Sequence, residues 1–302
     1  MILGLGCIAY DQMLFTEATW SEGKGRISKK EFRFGGNVRN SLGVAAALGK
    51  PCAYLGTLSP DPQWEFVVSD LQDTGISTTF TQFLEGSHPA IATVVITRTG
   101  DRYIAYEDES LKVLSLPSSE KVASALAQTK ILLVDGNTAP LGSLDVAVRA
   151  NAEGIPIIYD LERSATHPGE ALAMLDIASD PVLPLYFGQE ITGNNSPEEI
   201  IASLWNFSRN AIVLTDGENG SYFRTGTDPH IHHIPAFPIE ARDTNGLGDI
   251  FHGAYAVARL EGSSTLDCVN YATAAAASIA AREVGTGRKL TADGINKYLK
   301  SR

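Results

Sequence analysis

The sequence predicts an α/β fold in which a mostly parallel central sheet lies between two layers of helices, with a small accessory β-sheet beside them. Three observations predict this fold: short apolar runs recur along the chain, segments with helical spacing separate most of them, and two stretches break the alternation. With 302 residues, 44% of them hydrophobic and 20% charged, the chain can bury a sizeable core in a single domain spanning residues 1–302.

Eight apolar runs have the length and composition of buried strands, and four segments between them have the spacing of helices. We predict strands at residues 2–10, 52–58, 90–97, 102–107, 130–135, 155–160, 182–187 and 211–215. We predict helices at residues 38–48, 63–73, 141–153 and 197–207, and a tightly packed helix in the alanine-rich segment 272–281. Alternating strands and helices indicate a mostly parallel sheet that is covered on both faces.

The two stretches that break the alternation are residues 12–34 and 88–108. Scattered apolar residues sit among polar ones in the first, and the second is typical of a hairpin that turns at residues 99–101. We predict that they pair as a small sheet that forms a lid over the ligand. An isolated small sheet is poorly stable and its exposed edges invite pairing, so the lid is also expected to form a homodimer interface.

Composition and charge exclude several classes of partner. The net charge of -11 and the lack of a Lys/Arg run argue against a nucleic-acid partner, and no apolar run approaches the roughly 20 residues needed to span a membrane. Cys7, Cys52 and Cys268 lie far apart among apolar neighbours and lack metal-ligand spacing, which is typical of reduced, buried thiols. We therefore expect a cytoplasmic protein with a small-molecule ligand.

The most informative segment is residues 243–253, where a glycine-rich turn runs directly into an apolar helix. Free amides at a helix start form an anion site, and Gly246 and Gly248 permit close approach of a phosphate. Asp249 lies in the first turn, where a carboxylate would repel phosphate but could act as the base for a hydroxyl that attacks it. The alternative is that Asp249 caps the helix and the glycines only make a turn.

Two segments of the chain resemble the signatures of one enzyme family. Residues 243–249 (DTNGLGD) resemble the DTxGAGD signature of ribokinase-like (PfkB) carbohydrate kinases, with Leu247 in place of the usual alanine. Residues 35–41 (GGNVRNS) resemble that family's N-terminal Gly-Gly signature. The resemblance implies a ribokinase-like three-layer sandwich and transfer of the γ-phosphate of ATP to a sugar hydroxyl, with Mg²⁺ arriving as MgATP.

Within the family, two branches are similar to this chain. Residues 35–41 and 102–111 resemble the ketohexokinases, which implies a ketose such as fructose as the acceptor. Residues 235–237 and 251–254 resemble the sulfofructose kinases equally well, so a sulfonated or other acidic sugar is the alternative. A nucleoside kinase is less favoured because no aromatic platform for a base is evident. A non-catalytic sugar-binding pseudokinase is disfavoured because a sensor needs no base.

The resemblance also implies the residues that bind sugar. Asp11 is expected at the end of the first strand, where it accepts hydrogen bonds from sugar hydroxyls. Gly36 allows close backbone approach, and Asn37 and Asn40 bind hydroxyls. Arg102 matches an arginine that could steady the transferring phosphate, although a solvated strand arginine is the alternative. For the other residues a plain turn or helix-cap role is the alternative.

Lys24 lies in the loop of the predicted lid, where it would suit an acidic substituent of the substrate, although an exposed loop lysine is the favoured interpretation. On the nucleotide side, the amides of residues 246–248 would hold the γ-phosphate. Thr215, Gly217 and Gly220 resemble the family's nucleotide-binding turn. Residues 285–287 correspond to the region that closes over the adenine and often holds a monovalent cation.

One departure from the family affects the metal. Many relatives carry an Asn-x-x-Glu motif after the strand predicted at residues 182–187, whereas residues 188–191 of this chain read Gly-Gln-Glu-Ile. Glu190 is a possible substitute, but no metal-organising residue is assigned. The run that contains His230, His232 and His233 lacks nearby Cys or carboxylate ligands, and we interpret it as an exposed strand edge.

Overall fold

The computed structural model describes residues 1–99, 102–107, 115–136, 140–162, 168–206, 209–240, 246–281 and 290–301, without the side chains of residues 20, 102, 168 and 171. The predicted α/β fold is confirmed within these ranges. The strands form a nine-stranded central sheet, a four-stranded sheet and a two-stranded pair.

The strands described, in chain order, are β1 (Ile2–Leu5), β2 (Ala9–Thr16), β3 (Ile27–Gly35), β4 (Cys52–Leu55), β5 (Thr57–Leu58), β6 (Ile76–Ser77), β7 (Gln82–Phe83), β8 (Ala90–Ile96), β9 (Arg102–Tyr106), β10 (Ile131–Asp135), β11 (Ile157–Asp160), β12 (Asp180–Pro184), β13 (Ala211–Thr215), β14 (Ser221–Thr225) and β15 (His232–Ile234). The helices described are α1 (Asn37–Ala47), α2 (Glu65–Thr74), α3 (Ser119–Leu126), α4 (Ser143–Ala152), α5 (Pro168–Ile177), α6 (Leu185–Thr192), α7 (Pro197–Leu204), α8 (Leu247–Leu260), α9 (Thr265–Ala280) and α10 (Ala292–Leu299). Short 3-10 turns lie at Trp20–Glu22, Pro62–Trp64 and Gly217–Asn219.

The central sheet has the order β15-β14-β13-β12-β11-β10-β1-β4-β6. Neighbouring strands of this sheet are parallel, except that β14 is antiparallel to both of its neighbours, β13 and β15. Alternate side chains enter opposite cores: Ile131 packs on one face of the sheet and Leu132 on the other. Because parallel strands end at one edge, the last residues of β10, β11 and β13 share a side of the molecule.

The four-stranded sheet, β3-β2-β8-β9, is formed by the two stretches that interrupt the strand–helix alternation. β2 pairs antiparallel with β3 and parallel with β8, and β8 pairs antiparallel with β9. We call it the small sheet. Several large apolar side chains on it are about half exposed: Ile27, Phe32, Tyr103, Ile104 and Tyr106.

Three predicted strand boundaries were wrong. The run at residues 2–10 divides into β1 of the central sheet and β2 of the small sheet, so Asp11 lies inside β2 rather than at the end of the first strand. The run at 52–58 likewise divides into β4 of the central sheet and β5 of the two-stranded pair. In both runs the residues are apolar on either side of the crossover, so hydrophobic pattern alone does not mark the change of sheet.

The third error concerns residues 182–187, where β12 ends at Pro184 and α6 begins at once. Pro184 has extended backbone with ψ 143° and forms the N-cap, so the apolar run continues as a helix that buries Phe187 and Gly188. A short apolar run cannot separate a strand from a buried helix. No helix in the described ranges is long and apolar enough to cross a membrane. The three cysteines are buried and are not in disulfide bonds.

Candidate active site

The candidate site begins where α8 starts. Gly246, with φ 65°, is the N-cap, and Asp249 lies in the first turn with 7% of its surface exposed. The amide of Ile250 donates to the Gly246 carbonyl at 3.1 Å, which begins the helical ladder and leaves the preceding amides free of intrahelical partners. The start of α8 therefore combines an amide-rich turn with a nearly buried carboxylate. Residues 243–245 lie outside the described ranges.

The N-terminal signature meets this turn across the structure. Asn40 on α1 donates from Nδ2 to Oδ2 of Asp249 at 2.7 Å, and the Ser41 hydroxyl donates to the Asp249 carbonyl at 3.0 Å. Gly253 on α8 makes this approach possible, because a Cβ there would collide with the backbone carbonyl of Ser41. Two segments 209 residues apart in sequence thus share one hydrogen-bonded centre.

The surroundings of Asp249 disfavour its charged form. Burial raises the pKa of Asp249 well above its usual value, and the nearby Asp160 carboxylate raises it further. The hydrogen bond from Asn40 and the His252 side chain act in the opposite direction. Asp249 is therefore a carboxylate of raised proton affinity, which is a property that a general base requires.

Sequence reasoning missed a group of ionisable residues beside Asp249. Asp135 ends β10 and Asp160 ends β11, and they are register partners in adjacent parallel strands. Both are buried, and burial followed by the charges of Glu162 and Asp135 raises the pKa of Asp160. Burial and Asp135 also raise the pKa of Glu162. The available signal was a carboxylate at the end of two predicted strands, which becomes informative only once those strands are known to be neighbours.

Asp11 lies on the face of the small sheet that also carries Arg33, its register partner on β3. Burial raises the pKa of Asp11 to about 6, while the charge of Arg33 lowers it. Gly35 leaves room for the carboxylate, since a Cβ at that position would overlap Asp11 Oδ2. Asp11 is thus a partly buried acceptor near the start of α1.

Gly36 forms the junction between the small sheet and α1. It is the N-cap of α1 with φ 92°, and a Cβ there would lie 2.5 Å from the Cys7 carbonyl oxygen. Only glycine fits this combination of positive φ and close backbone approach. Asn37 is the first residue of the helix, and Asn40 follows one turn later.

A cavity of about 670 Å³ adjoins the first turn of α8 on the side of β13 and β14. Its lining includes the predicted nucleotide-binding residues Thr215, Gly217 and Gly220 together with Leu247 and Gly248. The remaining described walls are largely apolar, with Phe237, Pro238, Ile239, Phe251, Ala276, Ala277 and Ala280. Gly246 is not among the described lining residues. Largely apolar walls with a few polar groups at one end are typical of a small-molecule pocket.

Other predicted residues are placed apart or not described. Lys24 is exposed in the loop that precedes β3, and no described contact joins it to Asp11 or Asp249. Arg102 begins β9, but its side chain lies outside the description, as do residues 285–287.

The described residues contain no group of three His, Cys, Asp or Glu side chains that could hold a metal ion. Glu190 is exposed on α6. The expectation that the histidine run lacks a nearby carboxylate was wrong: the two oxygens of Asp228 contact His230 and His232 at 2.7 and 2.9 Å, where the chain enters the edge strand β15. His233 contacts the Asn219 carbonyl at 2.8 Å.

Comparison with known proteins agrees with this architecture. Residues 2–292 match the family described as pfkB family carbohydrate kinase. A ribokinase of Mus musculus is 23% identical over 74% of this chain and 70% of its own length. A ketohexokinase of Mus musculus is 25% identical over 82% of this chain and 84% of its own length.

A solved Arabidopsis thaliana ribokinase, complexed with ribose and ATP, has the same fold: TM-score 0.79, 21% identity, covering 99% of this chain and 98% of its own. The chain belongs to the pfkB family of carbohydrate kinases, which are ATP-dependent phosphotransferases with a sugar acceptor. The ribokinase and the ketohexokinase match at similar identity, so these comparisons do not distinguish their sugars.

Proposed function

We propose that this kinase transfers the γ-phosphate of ATP to a hydroxyl of a ketose such as fructose, with Asp249 as the general base. The observation that carries the proposal is the buried Asp249 carboxylate, which is held by Asn40 at the amide-rich start of α8 and directly follows Gly248, a residue that lines the cavity. The three buried cysteine thiols, which are not in disulfide bonds, support a cytoplasmic location for the enzyme.

In the proposed reaction the sugar lies between β2, the start of α1 and the start of α8. Asp11, Asn37 and Asn40 bind its hydroxyls, and Gly36 lets the backbone approach closely. Asp249 takes the proton of the attacking hydroxyl while the amides at residues 246–248 hold the γ-phosphate. Holding both reactants in line supplies much of the catalysis, because phosphoryl transfer depends mainly on positioning and charge neutralisation.

Mg²⁺ is expected to arrive bound to ATP. The described residues do not form a protein cage for it, and Mg²⁺ usually keeps several waters and needs few protein ligands. When bound, the ion neutralises charge on the phosphates. The proposed roles of Thr215, Gly217 and Gly220 are to border the nucleotide, since all three line the cavity beside Gly248.

The nucleotide assignment is tested by Gly248→Ala. No described atom lies within 4 Å of a Cβ at Gly248, and its φ is not positive, so the fold should accept the methyl group. The methyl would occupy the space in which a phosphate approaches the amides. We expect the KM for ATP to rise about tenfold, equivalent to about 1.4 kcal/mol, with little change in melting temperature.

Gly169→Ala is the matched control, because Gly169 is exposed near the start of α5 and likewise has no described atom within 4 Å of a Cβ. It should leave the KM for ATP unchanged. Parent-like ATP kinetics in both variants would show that phosphate does not approach Gly248.

A sulfonated or otherwise acidic sugar is a second candidate substrate, and Arg33, the register partner of Asp11, favours it. Because Arg33 also pairs with Glu31 at 2.9 Å, the cation chosen for the test is Lys24, which is exposed in the loop before β3. A neutral ketose needs no such charges. An assay of ADP release with ketoses, aldoses and sulfonated sugars ranks the candidates directly.

Lys24→Met tests the charge-reading role, since methionine keeps most of the stem and removes the charge. If the sulfonated sugar is the true substrate, we expect kcat/KM to fall about ten- to a hundredfold on it and to stay unchanged on fructose. Lys30→Met is the control, because Lys30 lies on the opposite face of β3 and carries the same charge. Equal losses on both sugars, or none on either, would exclude Lys24 and favour the neutral ketose.

We propose that the small sheet is a lid over the sugar and also pairs with a second copy of this chain. The exposed Ile27, Phe32, Tyr103, Ile104 and Tyr106 support this, because such side chains on one small sheet need a surface to cover. We expect light scattering to give a dimer mass, Ile104→Glu to give a monomer, and sugar to slow hydrogen exchange across the sheet. If the parent protein is a monomer and sugar does not change hydrogen exchange across the small sheet, both the lid and the dimer proposals are wrong.

A further inference from the structure

His252 lies on α8 one turn beyond Asp249, and only 4% of its surface is exposed. Its Nδ1 is 2.7 Å from the carbonyl oxygen of Gly248, and its Nε2 is 3.3 Å from the carbonyl oxygen of Val182. A carbonyl oxygen only accepts hydrogen bonds, so each ring nitrogen must carry a proton to satisfy its partner. A flipped ring would instead press carbon atoms against the Gly248 oxygen, well inside van der Waals contact.

The doubly protonated ring is a cation, and carboxylates surround it. Oδ1 of Asp160 lies 3.3 Å from Nε2, is buried, and has no hydrogen-bond partner among the described residues. The other charged groups that face this region in the described structure are Asp135 from β10, Glu162 after β11 and Asp249 on α8 itself. A buried cation requires such anionic partners, and a nearby cation stabilises the ionised form of a buried carboxylate.

We propose that His252 is a positioning residue that is held as the doubly protonated imidazolium, and that its fixed positive charge keeps the catalytic carboxylate of Asp249 ionised within this acidic cluster. The inference rests on the proposed role of Asp249 in the kinase reaction. It adds an electrostatic partner to the base, on the same helix and shielded from solvent.

The main rival is a neutral pair in which Asp160 holds the proton and donates it to a neutral imidazole. Two geometric facts oppose it. The Nε2 atom is in hydrogen-bonding geometry with the Val182 carbonyl, which cannot supply a proton. Asp160 Oδ1 is near Nε2 but makes no hydrogen bond with it. The geometry therefore shows no shared proton between Asp160 and His252.

The direct test is ¹⁵N NMR of the histidine ring nitrogens in the intact protein without substrates. We expect both nitrogens of His252 to be protonated at neutral pH. A bare nitrogen on His252 at neutral pH would overturn the proposal. This measurement does not depend on catalysis, so it stands even if the proposed reaction fails.

The catalytic consequence is tested with His252→Gln, whose amide keeps an N–H donor without the charge. Loss of a nearby cation raises the proton affinity of Asp249, so the acidic limb of the kcat profile should move about one unit to higher pH, a tenfold loss at a fixed acidic pH. Activity should recover above the limb, which a merely structural defect would not allow.

Tyr255→Phe is the matched control. Tyr255 is a buried residue on the same helix, but its hydroxyl donates to Asp180 at 2.9 Å rather than toward Asp249. The acidic limb of the kcat profile of Tyr255→Phe should match that of the parent. If folded His252→Gln shows no shift of this limb, or if both variants show equal shifts, the positive charge of His252 does not keep Asp249 ionised. If His252→Gln does not fold, the ring-nitrogen measurement on the parent decides.

Discussion

Asp249→Asn should lower turnover by about 100- to 10,000-fold while keeping the fold and much of the affinity for sugar and ATP. The carboxamide has nearly the shape of the carboxylate and can present its oxygen to Asn40, but it cannot accept the proton of the sugar hydroxyl. Steady-state kinetics and calorimetric binding measure the two effects separately. Turnover within about threefold of the parent would remove Asp249 as the base.

The same variant should be more stable than the parent at neutral pH. The pKa of Asp249 is raised in the folded state by burial and by Asp160, so the folded protein holds this proton more tightly than the unfolded chain does. Stability then falls as the pH rises from about 3.9, the usual Asp value, through the raised pKa. Asparagine avoids this loss, and we expect a gain of about 0.5 to 2 kcal/mol in the free energy of unfolding.

The pH dependence is the control on that gain. Below the ordinary pKa of an aspartate both states of the parent are protonated at this site, so the advantage of Asp249→Asn should disappear. Thermal denaturation of both proteins at acidic and neutral pH measures it. A gain of equal size at both pH values would show that ionisation of Asp249 is not its cause.

Gly36→Ala should lower kcat/KM about a hundredfold and destabilise the fold by about 2 to 4 kcal/mol. Gly36 has φ 92°, and a Cβ would lie 2.5 Å from the Cys7 carbonyl oxygen, so the variant combines backbone strain with a collision that side-chain movement cannot relieve. The start of α1 must shift, and Asn37 and Asn40 move with it. Kinetics and chemical denaturation measure the two losses.

Gly49→Ala, just beyond the C-terminal end of α1, is the control that introduces backbone strain without a collision. Gly49 also has positive φ, 73°, but no described atom lies within 4 Å of its Cβ. Its variant should therefore lose only about 1 kcal/mol of stability and retain the kinetics of the parent. If Gly36→Ala resembles Gly49→Ala in kcat/KM, the close approach at Cys7 does not position the sugar-binding residues.

The two signature segments could be found from sequence because each carries its chemistry in a few consecutive residues. Residues 35–41 and 246–249 come together in the structure, where the contact between Asn40 and Asp249 joins them. Their assigned roles in catalysis and sugar binding stay predictions.

The acidic surroundings of the base could not be found in this way. Asp135 and Asp160 are separated by a helix in sequence, and each looks like an ordinary polar residue at a strand end. Only the parallel pairing of β10 with β11 makes them neighbours. His252 lay within the recognised segment, but its significance depends on the carbonyls of Gly248 and Val182, and the second of these belongs to β12.

The boundaries that failed have a common physical origin. The runs at residues 2–10 and 182–187 are apolar because buried side chains lie on both sides of each junction, with Tyr186 as an exposed exception. One junction nevertheless changes sheet, and the other changes from strand to helix. Hydrophobicity reports burial in these runs. It does not report which partner strand the backbone reaches, and that depends on tertiary packing.

A single-turnover ³¹P NMR experiment with saturating sugar and MgATP tests the central claim most directly. The parent should convert the γ-phosphate signal of bound ATP into a sugar phosphate ester with equal formation of ADP. Asp249→Asn, at the same occupancy of both ligands, should hold ATP and sugar unreacted over that time. Ester formation by Asp249→Asn at the rate of the parent, or release of inorganic phosphate by the parent in place of an ester, would contradict the account.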